Sequence, residues 1–172
     1  MTLGASWGAT ASERGLALPC DRLLENATVR LHRAISIDAS PQIVFRWLCQ
    51  LRVAPYSYDL LDNLGRSSPR ELTPGLEQLQ TGQRFMTIFA LDSFAPGEHI
   101  TLRARRTAVT YAVLAQGNSA RLLVRVLFAA PGPRLSASLI ARALALGDLA
   151  MMRRQLRTLK KLSERDASPQ RS

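Results

Sequence analysis

RLSASLIARALALGDLAMMRRQLRTLKKLSER, Arg134 to Arg165, is the stretch whose reading decides the fold. It holds no proline and is rich in Leu, Ala, Met, Arg and Lys, the residues that lose least on becoming helical. Pro131 and Pro133 bar an earlier start, and Pro169 lies past the end. One continuous helix here would be roughly 45 Å long. Its apolar stripe changes side. Leu139, Ala143, Leu146 and Ala150 share one face, whereas Met152, Leu156, Leu159 and Leu162 lie nearly opposite, with Arg153, Arg157 and Lys161 on the side left behind. The switch falls at Gly147-Asp148. A helical Gly costs about 1 kcal/mol against Ala, so a kink or break is expected there, with close packing as the plain role of Gly147.

Working outward, the elements before this helix are short. Thr28 to Ile37 alternates Val29, Leu31, Ile35 and Ile37 onto one face and reads as a strand, with Arg33 on that same apolar face. Ser40-Pro41 suits a helix start, and Ile43, Val44, Trp47, Leu48 and Leu51 keep helical period to Leu51. A second short helix is expected over Tyr58 to Leu64, stopped by Gly65. Arg66 to Gly82 is turn-rich, with room for one or two edge strands. Strands are expected over Gln83 to Leu91, His99 to Arg105, Ala108 to Ala115 and Ala120 to Ala129; the last is apolar on both faces except for Arg121 and Arg125. Met1 to Asn26 shows no sustained period and reads as a loosely ordered lead-in, residues 166–172 as a disordered tail, and 27–165 as the domain.

A strand, two short helices, a run of antiparallel strands and one long helix argue an α+β fold. An antiparallel sheet with an apolar face needs a cover, and the C-terminal helix is the element large enough to provide it. Such a packing tends to leave a hollow between sheet and helix.

This order resembles the START-like (SRPBCC) superfamily, the polyketide cyclase/dehydrase and lipid-transport group. The resemblance is carried by Arg33-Ala-Ile-Ser-Ile-Asp-Ala-Ser-Pro-Gln-Ile-Val-Phe-Arg-Trp-Leu, by Tyr56-Ser-Tyr-Asp-Leu-Leu-Asp-Asn-Leu, by the approach through Gly82 to a strand, and by Asp148-Leu-Ala-Met-Met-Arg-Arg-Gln-Leu. It departs from the group at Ala54-Pro55, where a Gly-Trp pair is usual, and at Gln83, where an Asp is usual. The resemblance implies a helix-grip fold: a curved antiparallel sheet of six to seven strands around a long C-terminal helix, with an internal cavity for a hydrophobic or amphipathic small molecule. It does not imply catalysis.

The totals fit that picture. The chain has 172 residues, enough for one domain with a sizeable core, and a net charge of +10 that comes almost wholly from arginine. The arginines are scattered, so a solvated basic surface is the plain reading, and nucleic acid is not an expected partner. Two cysteines, Cys20 and Cys49, form no CxxC pair, which suits free thiols in a reducing cytoplasm. No segment reads as a membrane span or signal peptide; peripheral contact with a membrane stays open, as does the choice between monomer and homodimer. His32 and His99 have no metal-ligand spacing, and no nucleophile or phosphate-loop motif occurs, so no metal, cofactor or catalytic residue is expected.

The candidate ligand-facing residues are Arg33, Trp47, Tyr56, Tyr58, Phe85, Phe89, Tyr111, Met151 and Met152. Arg33 stands out because an inward guanidinium cannot lose its charge and must meet carboxylates, for which Asp59 and Asp62 are candidates, or a ligand anion. Tyr56 and Tyr58 suit a pocket rim, and the other aromatics its wall or plain core. Three functions compete. One is carriage of an apolar small molecule without catalysis, and this is the expectation. The second is a cyclase-like enzyme using Arg33, Tyr56, Tyr58 and Asp59. The third is a basic surface that docks on nucleic acid or anionic lipid through Arg153, Arg154, Arg157, Lys160 and Lys161.

Overall fold

The computed structural model describes residues 4–56, 68–129 and 134–168, with the backbone alone for 134–146. The predicted second helix, with Tyr58, Asp59 and Asp62, lies outside the described residues, as do the side chains of Leu139, Ala143 and Leu146. In chain order the elements are β1 (Ser6–Trp7), α1 (Ala11–Gly15), α2 (Cys20–Leu23), β2 (Val29–Ile37), α3 (Pro41–Cys49), β3 (Arg84–Phe85), β4 (Phe89–Ala95), β5 (His99–Ala104), β6 (Thr107–Gln116), β7 (Ser119–Phe128) and α4 (Arg134–Ala167). The seven strands form one sheet in the order β1-β2-β7-β6-β5-β4-β3, and α4 packs against it. The fold is α+β and helix-grip-like.

Local sequence accounts for most of this. Ser40 caps α3, its side chain accepting from the Ile43 amide at 3.4 Å, and Pro41 takes the first helical position. The β2 alternation puts Val29, Leu31, Arg33 and Ile37 in the core. The predicted strand Gln83 to Leu91 is instead a tight hairpin. Met86 and Thr87 take φ of 44° and 68°, which no strand residue adopts, and the chain reverses between β3 and β4. Alternation alone could not show this, because a hairpin of two short strands keeps period 2 on either side of its turn.

Two expectations are corrected at α4. The helix runs unbroken through Gly147, and among the described residues a Cβ at Gly147 would meet nothing within 4 Å. Gly147 therefore marks no break, and no close contact among the described residues. The change of stripe needs no break where the buried side is lined by Met152, Leu156, Leu159 and Leu162, while Ala150, Arg153, Arg157 and Lys161 are exposed. Burying these four apolar side chains contributes roughly 1.5–3 kcal/mol each. The helix also runs past its expected end. Asp166, placed by sequence in a disordered tail, accepts a hydrogen bond from Trp47 Nε1 at 3.0 Å.

The largest correction concerns the N-terminus. Residues 4–27 carry β1, α1 and α2 and lie along the convex face of the sheet. β7 explains why. Its second apolar face, Leu123 and Leu127, must also be kept from water, and Ala9, Leu18, Leu23, Leu24 and Cys20 do so. The two arginines that interrupt this strand are the anchor points. Arg121 Nε reaches Glu13 at 2.7 Å, and Arg125 Nη1 reaches Asp21 at 2.5 Å. Thr10 and Glu13 form a reciprocal capping box, and Arg121 holds the Glu13 carboxyl down to about 2. β1 then adds to the sheet edge in parallel, with Trp7 beside Arg33. Lack of helical or strand period hid this segment, since it packs as a strap through scattered apolar side chains.

Two glycines test the arrangement. At Gly8, φ is 72° and a Cβ would lie 2.1 Å from the Ala34 carbonyl oxygen, so Gly8→Ala should unseat the strap and lower unfolding free energy by at least about 1–3 kcal/mol. Chemical denaturation checks it; wild-type stability would mean that the strap is not seated in solution. By the same measurement, Gly147→Ala should gain about 0.5–1 kcal/mol, and a loss would show that Gly147 is structurally required.

Candidate functional site

Strand registers place Trp7, Arg33, Val124, Tyr111, Ile100 and Phe94 in one row across β1, β2, β7, β6, β5 and β4. Directly paired residues share a face, so this row crosses the concave side beneath α4. It carries two polar side chains, Arg33 and Tyr111, each only 1% exposed. Across from them, Asp148, Met152 and Gln155 recur at four- and three-residue spacing on one side of α4.

The polar groups meet across that gap. Arg33 Nη2 reaches Asp148 Oδ2 at 2.9 Å, and its Nη1 donates to the carbonyls of Ala5 and His32, both at 3.0 Å. The carbonyl of Ala5 comes from the N-terminal strap. Burial pushes the Asp148 carboxyl up to about 6 against the pull of Arg33. Tyr111 donates its hydroxyl to Gln155 Oε1 at 2.9 Å and lies 4.0 Å from Met152 Sδ; burial raises the phenol well above its usual range.

Gln155 ties the helix to two further segments. Its Nε2 donates to the Pro55 carbonyl at 2.5 Å and lies 3.6 Å from Met86 Sδ. Tyr56, next to Pro55, has φ of 55°, and Met86 and Thr87 have φ of 44° and 68°. Among the described residues these are the non-glycine positions with left-handed backbone, and both segments bond to one buried glutamine. Such conformations persist only where surrounding structure enforces them, and they cluster at ligand sites.

The predicted residues thus separate. Arg33, Tyr111 and Met152 come together around Asp148 and Gln155. Tyr56 joins them through Pro55 but is buried rather than at a rim, its ring edge-on to Trp47 at 5.9 Å between centroids. Trp47 and Phe85 are wholly buried, and Phe89, opposite Phe85 in the hairpin, is half-buried. Met151 turns to solvent at 41% exposure, because it sits 100° round the helix from Met152. Tyr58 lies outside the described residues. The partner of Arg33 is Asp148, not the aspartates nearer in sequence.

Sequence reasoning missed Asp148 and Gln155 as site residues. Signals existed. Asp148 is a lone carboxylate in an apolar window, and Gln155 is a polar residue at the spacing of the buried stripe. Burial, with the cations Arg125, Arg14 and Arg33 nearby, lowers His32 to about 4, and burial lowers His99. The Cys49 thiol is pushed up to about 12 by burial and is not a nucleophile at neutral pH. Among the described residues no group of His, Cys, Asp and Glu could hold a metal ion, and no helix is long and apolar enough to cross a membrane.

No family model matches this chain, and no curated protein matches it. Solved structures similar to it include the KanY protein, with TM-score 0.51 and 13% identity over 79% of this chain and 97% of KanY. Protein MLL2253 from Mesorhizobium loti is similar with TM-score 0.47 and 14% identity, over 79% of this chain and 97% of that one. TTHA0849 from Thermus thermophilus is similar with TM-score 0.47 and 10% identity, over 81% of this chain and 99% of that one. At this identity the likeness to KanY supports the fold and nothing about the ligand.

The Arg33–Asp148 pair carries a signed pH effect. The folded carboxyl titrates above its ordinary value of 3.8, so its contribution favours the fold below about pH 4 and is lost as pH rises toward 6. Arg33→Leu removes the cation that pulls this value down. The Asp148 titration, followed by carboxyl NMR, should therefore move above about 6, and stability at neutral pH should fall by roughly 3–5 kcal/mol. Arg33→Leu/Asp148→Leu should recover most of that loss. A titration left in place would show that the two groups do not pair in solution.

Proposed function

We propose that this chain is a START-like protein that binds a hydrophobic or amphipathic small molecule between the concave sheet and α4, without catalysis. The observation that carries the reading is the Gln155 hub. A few hydrogen-bonding groups, Arg33, Asp148, Tyr111 and Gln155, are enclosed by apolar side chains, and the two chain segments they hold are strained. Apolar walls with a small number of placed polar groups are the make-up of small-molecule sites. Strain at Tyr56, Met86 and Thr87 gives these segments a second conformation to relax into when a guest replaces the bonds to Gln155.

In this reading Tyr111, Met152, Tyr56, Phe85 and Phe89 supply apolar contact, and Arg33 with Asp148 orients the polar end of the guest. Met151 has no part in it. The likeness to KanY supports the fold on which this reading is built.

Native mass spectrometry of protein purified from cells tests this. The expected result is a bound apolar species above the polypeptide mass, weakened about tenfold or more by Gln155→Leu, which removes the hub but keeps the volume. A spectrum at the bare polypeptide mass, with no uptake of a fluorescent apolar probe, would overturn the reading.

A further inference from the structure

One open space lies outside the grip. It is a groove of about 690 Å³ on the outer side of α4, between that helix and residues 68–70, with Tyr56 and Leu162 at its base. Six of its lining residues are cationic: Arg70, Arg153, Arg154, Arg157, Lys161 and Arg165. Among the described residues no carboxylate lines it. Five of the six sit on one side of α4 over thirteen residues, roughly 18 Å of helix from first to last. Like charges this close repel, and an anion in the groove would relieve that repulsion.

The way these cations are held matters. Arg153 and Arg157 lie over the ring of Trp7, at 5.4 and 6.0 Å from its centre, and Arg165 lies over Trp47 at 5.9 Å. A ring engages the face of a guanidinium and leaves its in-plane N–H groups for an acceptor. Asp166 pairs with Arg165, and it is the carboxylate nearest this row in sequence that bonds one of its members. Arg70 and Lys161 are exposed and have no ion pair among the described residues. Lys160, grouped by sequence with this patch, leaves it. Its Nζ donates to the Ser36 carbonyl and to Glu164, toward the sheet.

We propose that this groove is a second binding site, sharing only Tyr56 with the interior one, for a compact polyanion: a solute or headgroup carrying two or more phosphate groups. Its volume is that of small-molecule sites, roughly 300–1,000 Å³. Guanidinium forks bind phosphate oxygens two at a time, and five of the six cations are arginine. The concavity favours a compact guest over a bilayer or duplex, which would rest on the flanks.

Calorimetry with the full chain decides it, using tripolyphosphate, vesicles bearing a bisphosphorylated phosphoinositide, vesicles bearing phosphatidylserine, and a single-stranded oligonucleotide. The comparison protein is Arg70→Glu/Lys161→Glu, with Lys161→Glu alone as the second variant should the first fail to fold. Tripolyphosphate should bind, less tightly at high salt, and the double variant should bind it about tenfold or more weakly with an unchanged melting temperature. Binding of tripolyphosphate alone identifies a free phosphate compound as the source. Binding of the phosphoinositide vesicles as well, or of them alone, lost in the variant, identifies a lipid headgroup. The proposal is overturned by binding that the variants retain, by binding only to the oligonucleotide or the phosphatidylserine vesicles, or by no binding at all. The interior site is untouched by these substitutions, so retention of an apolar guest is read separately.

Discussion

A ten-residue strand that is apolar on both faces cannot be left with either face in water, and the rest of this structure depends on that constraint. β7 lies third in the sheet and presents Leu122, Val124 and Val126 to one side and Leu123 and Leu127 to the other. Each side needs its own cover. The concave side takes α4 and α3; the convex side takes the N-terminal strap. Apolar burial supplies the drive on both, since it is non-directional and scales with area. The ion pairs from Arg121 and Arg125 contribute position more than net energy, because a partly buried pair gives back much of its attraction as desolvation.

The concave side bears a second constraint. Arg33 cannot shed its charge, so placing it beneath α4 obliges that helix to bring a carboxylate. Asp148 meets the obligation, and its carboxyl is raised despite the cation because burial outweighs the attraction. Met152 and Gln155 follow at helical spacing, which aims Gln155 at Tyr111. One residue thus sets the register of the helix on the sheet, and that register draws Pro55 and Met86 inward to Gln155 at the cost of left-handed backbone nearby. The strap is coupled to the same point, since the Ala5 carbonyl accepts from Arg33.

The two sides of α4 therefore have different chemistry. The inner side is apolar with one buried polar network. The outer side is a cationic groove with aromatic rings beneath three of its guanidinium groups. An interior site would select by shape and by a few hydrogen bonds, and a groove of this kind by charge.

Much of this was legible in the chain. Proline and propensity bounded α4 to within two residues, Ser40-Pro41 started α3, alternation placed β2 and β5 to β7, and Arg33 announced itself as the polar residue on an apolar face. What period 2 cannot tell is whether a strand continues or turns back, and so the β3–β4 hairpin was invisible. Side chains without period cannot reveal that they will cover a sheet, and so the strap was not legible. Sequence by itself determined the elements and their buried faces, because propensity, capping and periodicity act over a few residues. Only the tertiary structure decided which carboxylate meets Arg33, that Gln155 joins helix to sheet, and that six cations converge on one groove, because those partners lie up to 115 residues apart and are chosen by packing rather than by neighbours in the chain.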